Sequence, residues 1–251
     1  MNDCISMIPD IWTVIWKEWR ELLFQRGSLK STILSWLPLI LIFGLLMPIQ
    51  IGAFWVDSPF TIAYWGWLPT LPVMALIADS FAGERERHTL ETLLASPLSE
   101  IAILFGKVIT VVIYGLLLTL IVLLVGLISV NLTHNTGQIL LYPIGITLTG
   151  IGLGILTATA MASIGVIVSL RSPTVKQAAQ QLAFVSIALT WIPLLSLSLL
   201  PTQLQTSLLK SAKNTNLTQV IFIVFLVLAI ANLGLLLIAV KRFKRSRLIL
   251  D

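Results

Sequence analysis

Five stretches of this chain carry no Lys, Arg, Asp or Glu: 31–56, 58–78, 108–170, 177–209 and 214–240. A helix needs about 20 predominantly apolar residues to cross the hydrocarbon core of a bilayer, and the shortest of these runs has 21. Backbone polar groups in lipid must be satisfied within the structure, which leaves helices or closed barrels. The alternating ten-residue pattern of barrel strands is absent, so the runs predict an all-α integral membrane protein. The composition agrees, with 57% hydrophobic and 11% charged residues and a mean hydropathy of +0.98. Soluble domains are about 45–50% apolar and about 25% charged. A soluble enzyme and a disordered chain are excluded, and a single cysteine, Cys4, excludes a disulfide scaffold.

The run 108–170 is too long for one crossing and too short for three. Its one polar patch, Asn131 to Gln138, reads as a turn. Six spans follow, at about 33–55, 59–79, 106–130, 139–169, 178–200 and 218–240. Residues 1–251 then form one transmembrane domain. Lys and Arg fall 14 on one side of this arrangement and 2 (Lys210 and Lys213) on the other. The positive-inside rule puts both termini and the 80–107 loop in the cytoplasm, and a bacterial inner (plasma) membrane is the expected location. No signal peptide is evident ahead of the first run. The basic tail 241–251 reads as an anchor at an anionic leaflet, not as a nucleic-acid site.

Two charged elements lie outside the spans. In 10–26, Ile11, Trp12, Ile15, Trp16, Trp19, Leu22 and Leu23 recur with helical spacing beside Lys17, Glu18, Arg20 and Glu21. Three tryptophans next to charge suit a helix lying in the interface plane, with Asp10 as its N-cap and Gly27 as its stop. This helix is either a simple anchor or a lever on the first span. Between the second and third spans, residues 84–95 predict a second short helix. Glu84 with His88 and Arg87 with Glu91 are spaced to pair, and Leu90, Leu93 and Leu94 give an apolar edge. Ser96-Pro97 marks its end and the start of the next helix.

The run GERERHTLETLLASPLSEIAILFGK, residues 83–107, resembles the signature of the type-2 ABC transporter permease family. The matching residues are Glu84, Arg85, Glu86, Thr89, Leu90, Glu91, Leu93, Leu94, Pro97, Ser99, Gly106 and Lys107. His88 departs from the pattern, which usually has Gly there. A His should favour helix continuity over Gly. The resemblance implies a dimeric permease driven by an ABC ATP-binding subunit. ATP and Mg would be bound on that partner, with no cofactor on this chain. It implies that 84–95 is a coupling helix docking on the ATPase through Glu84, Arg85, Glu86, Arg87, His88 and Glu91. It also implies export or flipping of substrate, with the second and fifth spans along the path. On that basis Tyr64, Thr70, Met74, Gln181, Ser186, Thr190 and Trp191 are pathway candidates.

The chain has no Gly-x-x-x-x-Gly-Lys-Ser/Thr phosphate cradle. No Asp, Glu, Lys or Arg is expected deep within a span, where an ion-coupled transporter would need one. His88 and His134 fall on opposite sides and cannot share a metal or a catalytic triad. Gly150, Gly154, Ala158 and Ala162 place a small residue at every fourth position of the fourth span. That stripe serves either helix packing inside the subunit or a dimer interface. Pro69, Pro72 and Pro193 should kink their helices. Tyr64, Trp65 and Trp67 form an aromatic belt or a portal, and 201–217 reads as a short external cap. The leading expectation is a permease subunit moving a hydrophobic or amphipathic cargo in contact with membrane lipid. An ion-gradient-driven secondary transporter and a cargo-less assembly protein are the alternatives.

Overall fold

The computed structural model describes residues 2–22, 29–89, 95–134, 138–199, 201, 204 and 217–243, without the side chains of 2–6, 29–33, 190–191, 193–194, 196–198 and 217. It is all helix, with no strand among the described residues. Helix α1 is Asn2–Arg20. The first span is α2 (Leu29–Leu39), a π segment (Ile40–Leu46) and α3 (Met47–Ile51). After α4 (Phe54–Asp57) the second span is α5 (Phe60–Trp67), α6 (Thr70–Ala78), a π segment (Asp79–Gly83) and α7 (Glu84–Glu86). Then come α8 (Glu100–Thr133), α9 (Ile144–Ser169), α10 (Val175–Leu199) and α11 (Leu217–Arg242).

Five helical stretches among the described residues are long and apolar enough to cross a membrane: Leu34–Ile51, Phe60–Glu86, Glu100–Thr133, Ile144–Ser169 and Thr218–Arg242. Helix α10 occupies the predicted fifth span, and its 25 residues are long enough to cross as well. The 34 residues of α8 rise about 51 Å, well beyond a hydrocarbon core of about 30 Å. Part of α8 therefore extends beyond the core.

Prolines break the ladder, and polar side chains repair it. Pro48 has no N–H to give to the Gly44 carbonyl four residues back. The Ser129 hydroxyl of α8 donates to that carbonyl at 3.0 Å, just where the π segment ends. Pro69 divides the second span between α5 and α6. There Thr70 Oγ1 donates to the Trp67 carbonyl at 2.5 Å and Thr157 Oγ1 of α9 to the Gly66 carbonyl at 2.5 Å. In the apolar interior each such bond removes an acceptor that water cannot reach.

The small-residue stripe packs inside the subunit. A Cβ on Gly150 would lie 2.5 Å from the Trp65 ring, and one on Gly154 would lie 2.9 Å from the Trp65 carbonyl. Ala158 and Ala162 are fully buried, and a side chain on Gly165 would collide with Ile77. Within the subunit, α9 turns these residues toward the second span. The same helix meets α11 on another face, where Gly152 lies under Phe225.

The bundle has two unlike ends. One gathers aromatic rings: Trp55 stacks on Tyr64 at 4.5 Å, and Trp65 meets Tyr142 edge-on at 6.2 Å. Here α8 continues to Thr133, and Asn131 clamps the chain at Leu140. Its Oδ1 accepts from the Leu140 N–H at 2.8 Å and its Nδ2 donates to the Leu140 carbonyl at 3.0 Å. The external cap expected at 201–217 lies almost wholly outside the described residues. The opposite end collects the charged groups.

Gly150→Val should lower stability by about 1–3 kcal/mol through overpacking against Trp65. Gly234→Ala in α11 has nothing within 4 Å of the added Cβ and should raise it by about 0.5–1 kcal/mol. Thermal unfolding of the two purified variants in detergent checks both signs.

Candidate functional site

The charged end is built around Lys107, which the resemblance quoted only as the close of a motif. It lies two turns into α8 and is 1% exposed. An ammonium taken out of water must be paired and hydrogen-bonded to persist. Its Nζ donates to Glu18 Oε1 of α1 at 2.7 Å, to the Ser80 carbonyl at 3.0 Å and to Glu84 Oε1 at 3.5 Å. It also stands 5.6 Å from the centroid of the Phe81 ring. Phe81 in turn meets Phe243, just past α11, edge-on at 5.5 Å. One side chain thus joins α1, the end of the second span, α8 and, through Phe81, the end of the last helix.

Gly106 makes this possible. A Cβ there would lie 2.6 Å from Val14 and 3.3 Å from the Ile11 carbonyl. Only with a bare Gly106 can α1 settle onto α8 closely enough for Glu18 to reach Lys107. The Gly-Lys pair of the motif is a contact surface followed by its charge.

Lys17 extends the cluster to Glu21 at 3.3 Å and Glu84 at 3.6 Å. Burial works against its charge, but Glu21, Glu84 and Glu18 outweigh it and hold its pKa above the ordinary lysine value. Carboxylate oxygens of Glu18, Glu21 and Glu84 lie within 4.8 Å of one another. The two ammonium groups already supply the cations this group needs.

Helix α1 corrects the sequence reading at its start. It begins at Asn2, so Asp10 is an interior residue and not the cap. The single stripe read from the sequence is in fact two faces. Val14, Glu18 and Leu22 point inward and are buried, and Trp19 leans toward Tyr114 at 6.1 Å. Trp12 and Trp16 point outward and are exposed. The expected stop, Gly27, lies outside the described residues.

The expected start of the 84–95 helix is also corrected. Residues 84–86 are the last turn of the second span, which then stops in a Schellman arrangement. The Thr89 N–H donates to the Glu84 carbonyl at 2.9 Å and the His88 N–H to the Arg85 carbonyl at 3.0 Å. His88 has φ 56, in the left-handed region. Gly is the residue that adopts this conformation without strain, which gives a physical reason for Gly at this position of the family pattern. Helix continuity was the wrong criterion, because the position is a stop. Residues 90–94, Glu91 included, lie outside the described residues. The next helix begins at Glu100, capped by Ser99 Oγ accepting from the Ala102 N–H at 3.1 Å, not at Ser96-Pro97.

The docking candidates therefore separate. Glu84 is turned inward, shared by Lys107, Lys17 and the Thr89 hydroxyl instead of pairing with His88. Arg85 is half-buried. Glu86, Arg87 and His88 are exposed. Glu86 Oε2 accepts from the Val175 N–H at 3.0 Å, which ties the turn to the N-terminus of α10, where a carboxylate suits the helix dipole. Arg87 bonds Asp79 Oδ1 at 3.3 Å.

The pathway candidates separate too. Thr70 and Ser186 line one groove of about 390 Å³ with Trp67, Thr157, Met161 and Leu228. Thr70 and Thr157 direct their hydroxyls to backbone carbonyls, so the groove presents apolar walls. Tyr64 instead borders a second hollow of about 370 Å³ with Phe54, Trp55 and Phe60 at the aromatic end. Met74 packs against the core. Gln181 accepts from the Ser172 hydroxyl at 3.1 Å and is not part of the groove. The side chains of Thr190 and Trp191 lie outside the described residues.

A family model described as ABC-2 type transporter matches residues 9–193, from within α1 to within α10. The chain belongs to that family. No curated protein matches it. As an ABC-2 permease the chain is the membrane component of a transporter that works with ATP-binding subunits. The matched region contains every residue of the Lys107 site except Phe243. The features of this permease that sequence reasoning missed are Glu18 and the burial of Lys107. The available signal was that Glu18 falls four residues after Val14 and four before Leu22, on one face of a helix.

His88→Gly in the permease should remove the strain of a left-handed His and raise stability by about 1 kcal/mol. Chemical denaturation of wild type and variant measures it. An unchanged or lowered midpoint would mean that the turn does not carry that strain.

Proposed function

We propose that this permease has six spans with both termini in the cytoplasm of a bacterial inner membrane, that it pairs with a second permease copy, and that a separate ATPase subunit drives it to export or flip a hydrophobic or amphipathic substrate. The observation that carries the reading is the fixed turn at Arg87 and His88. It is exposed, charged and anchored from behind by Glu84 on Lys107 and by Glu86 on α10. A force applied to such a turn reaches the second, third and fifth helices without loss in a flexible linker.

The turn and the residues after it, through Glu91, form the docking surface for the ATPase in this reading. ATP and Mg sit on that partner. Lys17, Arg20, Arg85, Arg87, Lys107, Arg171, Lys176, Lys241 and Arg242 share the charged end of the bundle, which supports one cytoplasmic face by the positive-inside rule. The groove at Thr70, Thr157 and Ser186 supports an apolar cargo, because its walls offer no charge.

Arg87→Ala with Glu91→Ala should weaken docking about tenfold, roughly 1.4 kcal/mol. Reconstituted complex should then show correspondingly less permease-stimulated ATP hydrolysis, with the permease still folded. Full stimulation in the double variant would remove the docking role. Flux driven by an ion gradient without nucleotide would instead favour a secondary transporter.

A further inference from the structure

Four rings, Phe54, Trp55, Phe60 and Tyr64, line the hollow of about 370 Å³ at the aromatic end. The local fold gathers them. Gly52, at φ 67, ends α3 in a left-handed turn that a side chain would resist. Ser58 is extended ahead of Pro59, and its hydroxyl accepts from the Phe60 N–H at 3.1 Å. The chain doubles back there, so Phe60 of α5 meets Phe54 of α4 with ring centroids 5.9 Å apart, and Tyr64 meets Trp55 at 4.5 Å. Thr61 Oγ1 closes the turn by donating to the Trp55 carbonyl at 2.6 Å.

Rings that only mark the headgroup level carry a polar tip. Phe54 and Phe60 have none, yet they are 57% and 68% exposed. Aromatic faces attract a cation that comes within about 6 Å of the ring centroid. The same lining brings few hydrogen-bond acceptors, since the Thr61 hydroxyl is spent on Trp55 and Trp55 Nε1 is turned to Gly126 of α8. A primary ammonium or a guanidinium would leave donors unmatched here, whereas a quaternary ammonium has none to match. Charge agrees with the rings. Asp57 follows Phe54 by three residues, one turn on along α4, and is exposed. Its carboxylate has no partner among the described residues. It is the only acid between Glu21 and Asp79, and no Lys or Arg lies between Lys30 and Arg85. The segments that form the hollow thus carry one negative charge and no Lys or Arg.

We propose that this hollow binds the quaternary ammonium head of an amphiphile against its ring faces, with Asp57 supplying the countercharge at the rim. Ala63 lines both the hollow and the groove at Thr70, so an apolar tail in the groove leaves its head among the four rings. The inference deepens the reading of an exported amphipathic substrate and rests on it for the role of the site, though not for the binding itself.

The test is a titration of full-length permease with choline, in phosphatidylethanolamine–phosphatidylglycerol nanodiscs without ATPase. The His134 ring lies beside Gly52, so the titration is run at pH 8, above the range in which histidine carries charge. Saturation-transfer NMR on the N-methyl protons reads binding against empty nanodiscs, and 3,3-dimethylbutan-1-ol is the neutral isostere. Choline should bind about tenfold more tightly than the isostere. Phe60→Leu, which keeps the wall apolar, and Asp57→Asn should each weaken choline about two- to fivefold and leave the isostere unchanged. Both residues are exposed, so neither change disturbs the core. Absent choline binding, equal binding of choline and isostere, or choline binding indifferent to both substitutions overturns the proposal. Adding phosphatidylcholine to the nanodiscs separates two sources of the same chemistry: displaced choline identifies a lipid headgroup, and retained choline a free or single-chain cation. No gradient or nucleotide enters the assay. Loss of choline binding would leave the export reading standing, and a permease without ATP-driven flux would leave this site standing.

Discussion

A buried lysine is the constraint on which the charged end of this permease depends. Removing an ammonium from water costs several kcal/mol after relaxation, and only close, hydrogen-bonded partners offset it. Lys107 finds them on two other elements, Glu18 of α1 and Glu84 of the second span, together with a backbone carbonyl at Ser80. Such a pair is weak evidence for net stability, because a well-packed apolar substitute can do as well. Its consequence is positional: as long as Lys107 is charged, α1 and the 84–89 turn must stay where their carboxylates are. Gly106 admits the helix that carries one of them.

The all-helical, multi-pass character was legible because it rests on the coarsest property of the chain. Runs of 21–63 residues without charge admit few alternatives, and the small residues of α9 had only to be matched to a partner, which is Trp65 and Ile77. What was not legible turned on single-residue geometry. Glu18 reads as surface charge until a cation from a residue 89 positions away is placed beside it. His88 reads as a helix former until the backbone is seen to turn left-handed there. Asp10 reads as a cap, although the helix runs back to Asn2 through Pro9, whose carbonyl accepts from the Thr13 hydroxyl at 2.8 Å. Local pattern identified which segments matter and misplaced their ends.

The two ends of the bundle suit different tasks. Near the aromatic end the walls are rings and repaired carbonyls, and the grooves at Thr70 and Tyr64 offer shape without charge. At the charged end, every described carboxylate of the Lys107 cluster is tied to a cation on another turn or another helix. An uncharged interior above a cross-linked charged base is what an ABC-2 permease needs if its power comes from a subunit outside the bilayer.

The direct test of this account is the coupling between Lys107 and Glu18, measured by denaturant unfolding of Lys107→Met, Glu18→Gln and the double variant in the same detergent. Removing Lys107 alone leaves buried Glu18 without its cation and should cost about 3–5 kcal/mol. Adding Glu18→Gln should recover part of that loss, giving a coupling energy of about 1–3 kcal/mol. Losses that simply add would mean the two side chains do not depend on one another, and the buried lysine would not be what holds α1 to the bundle.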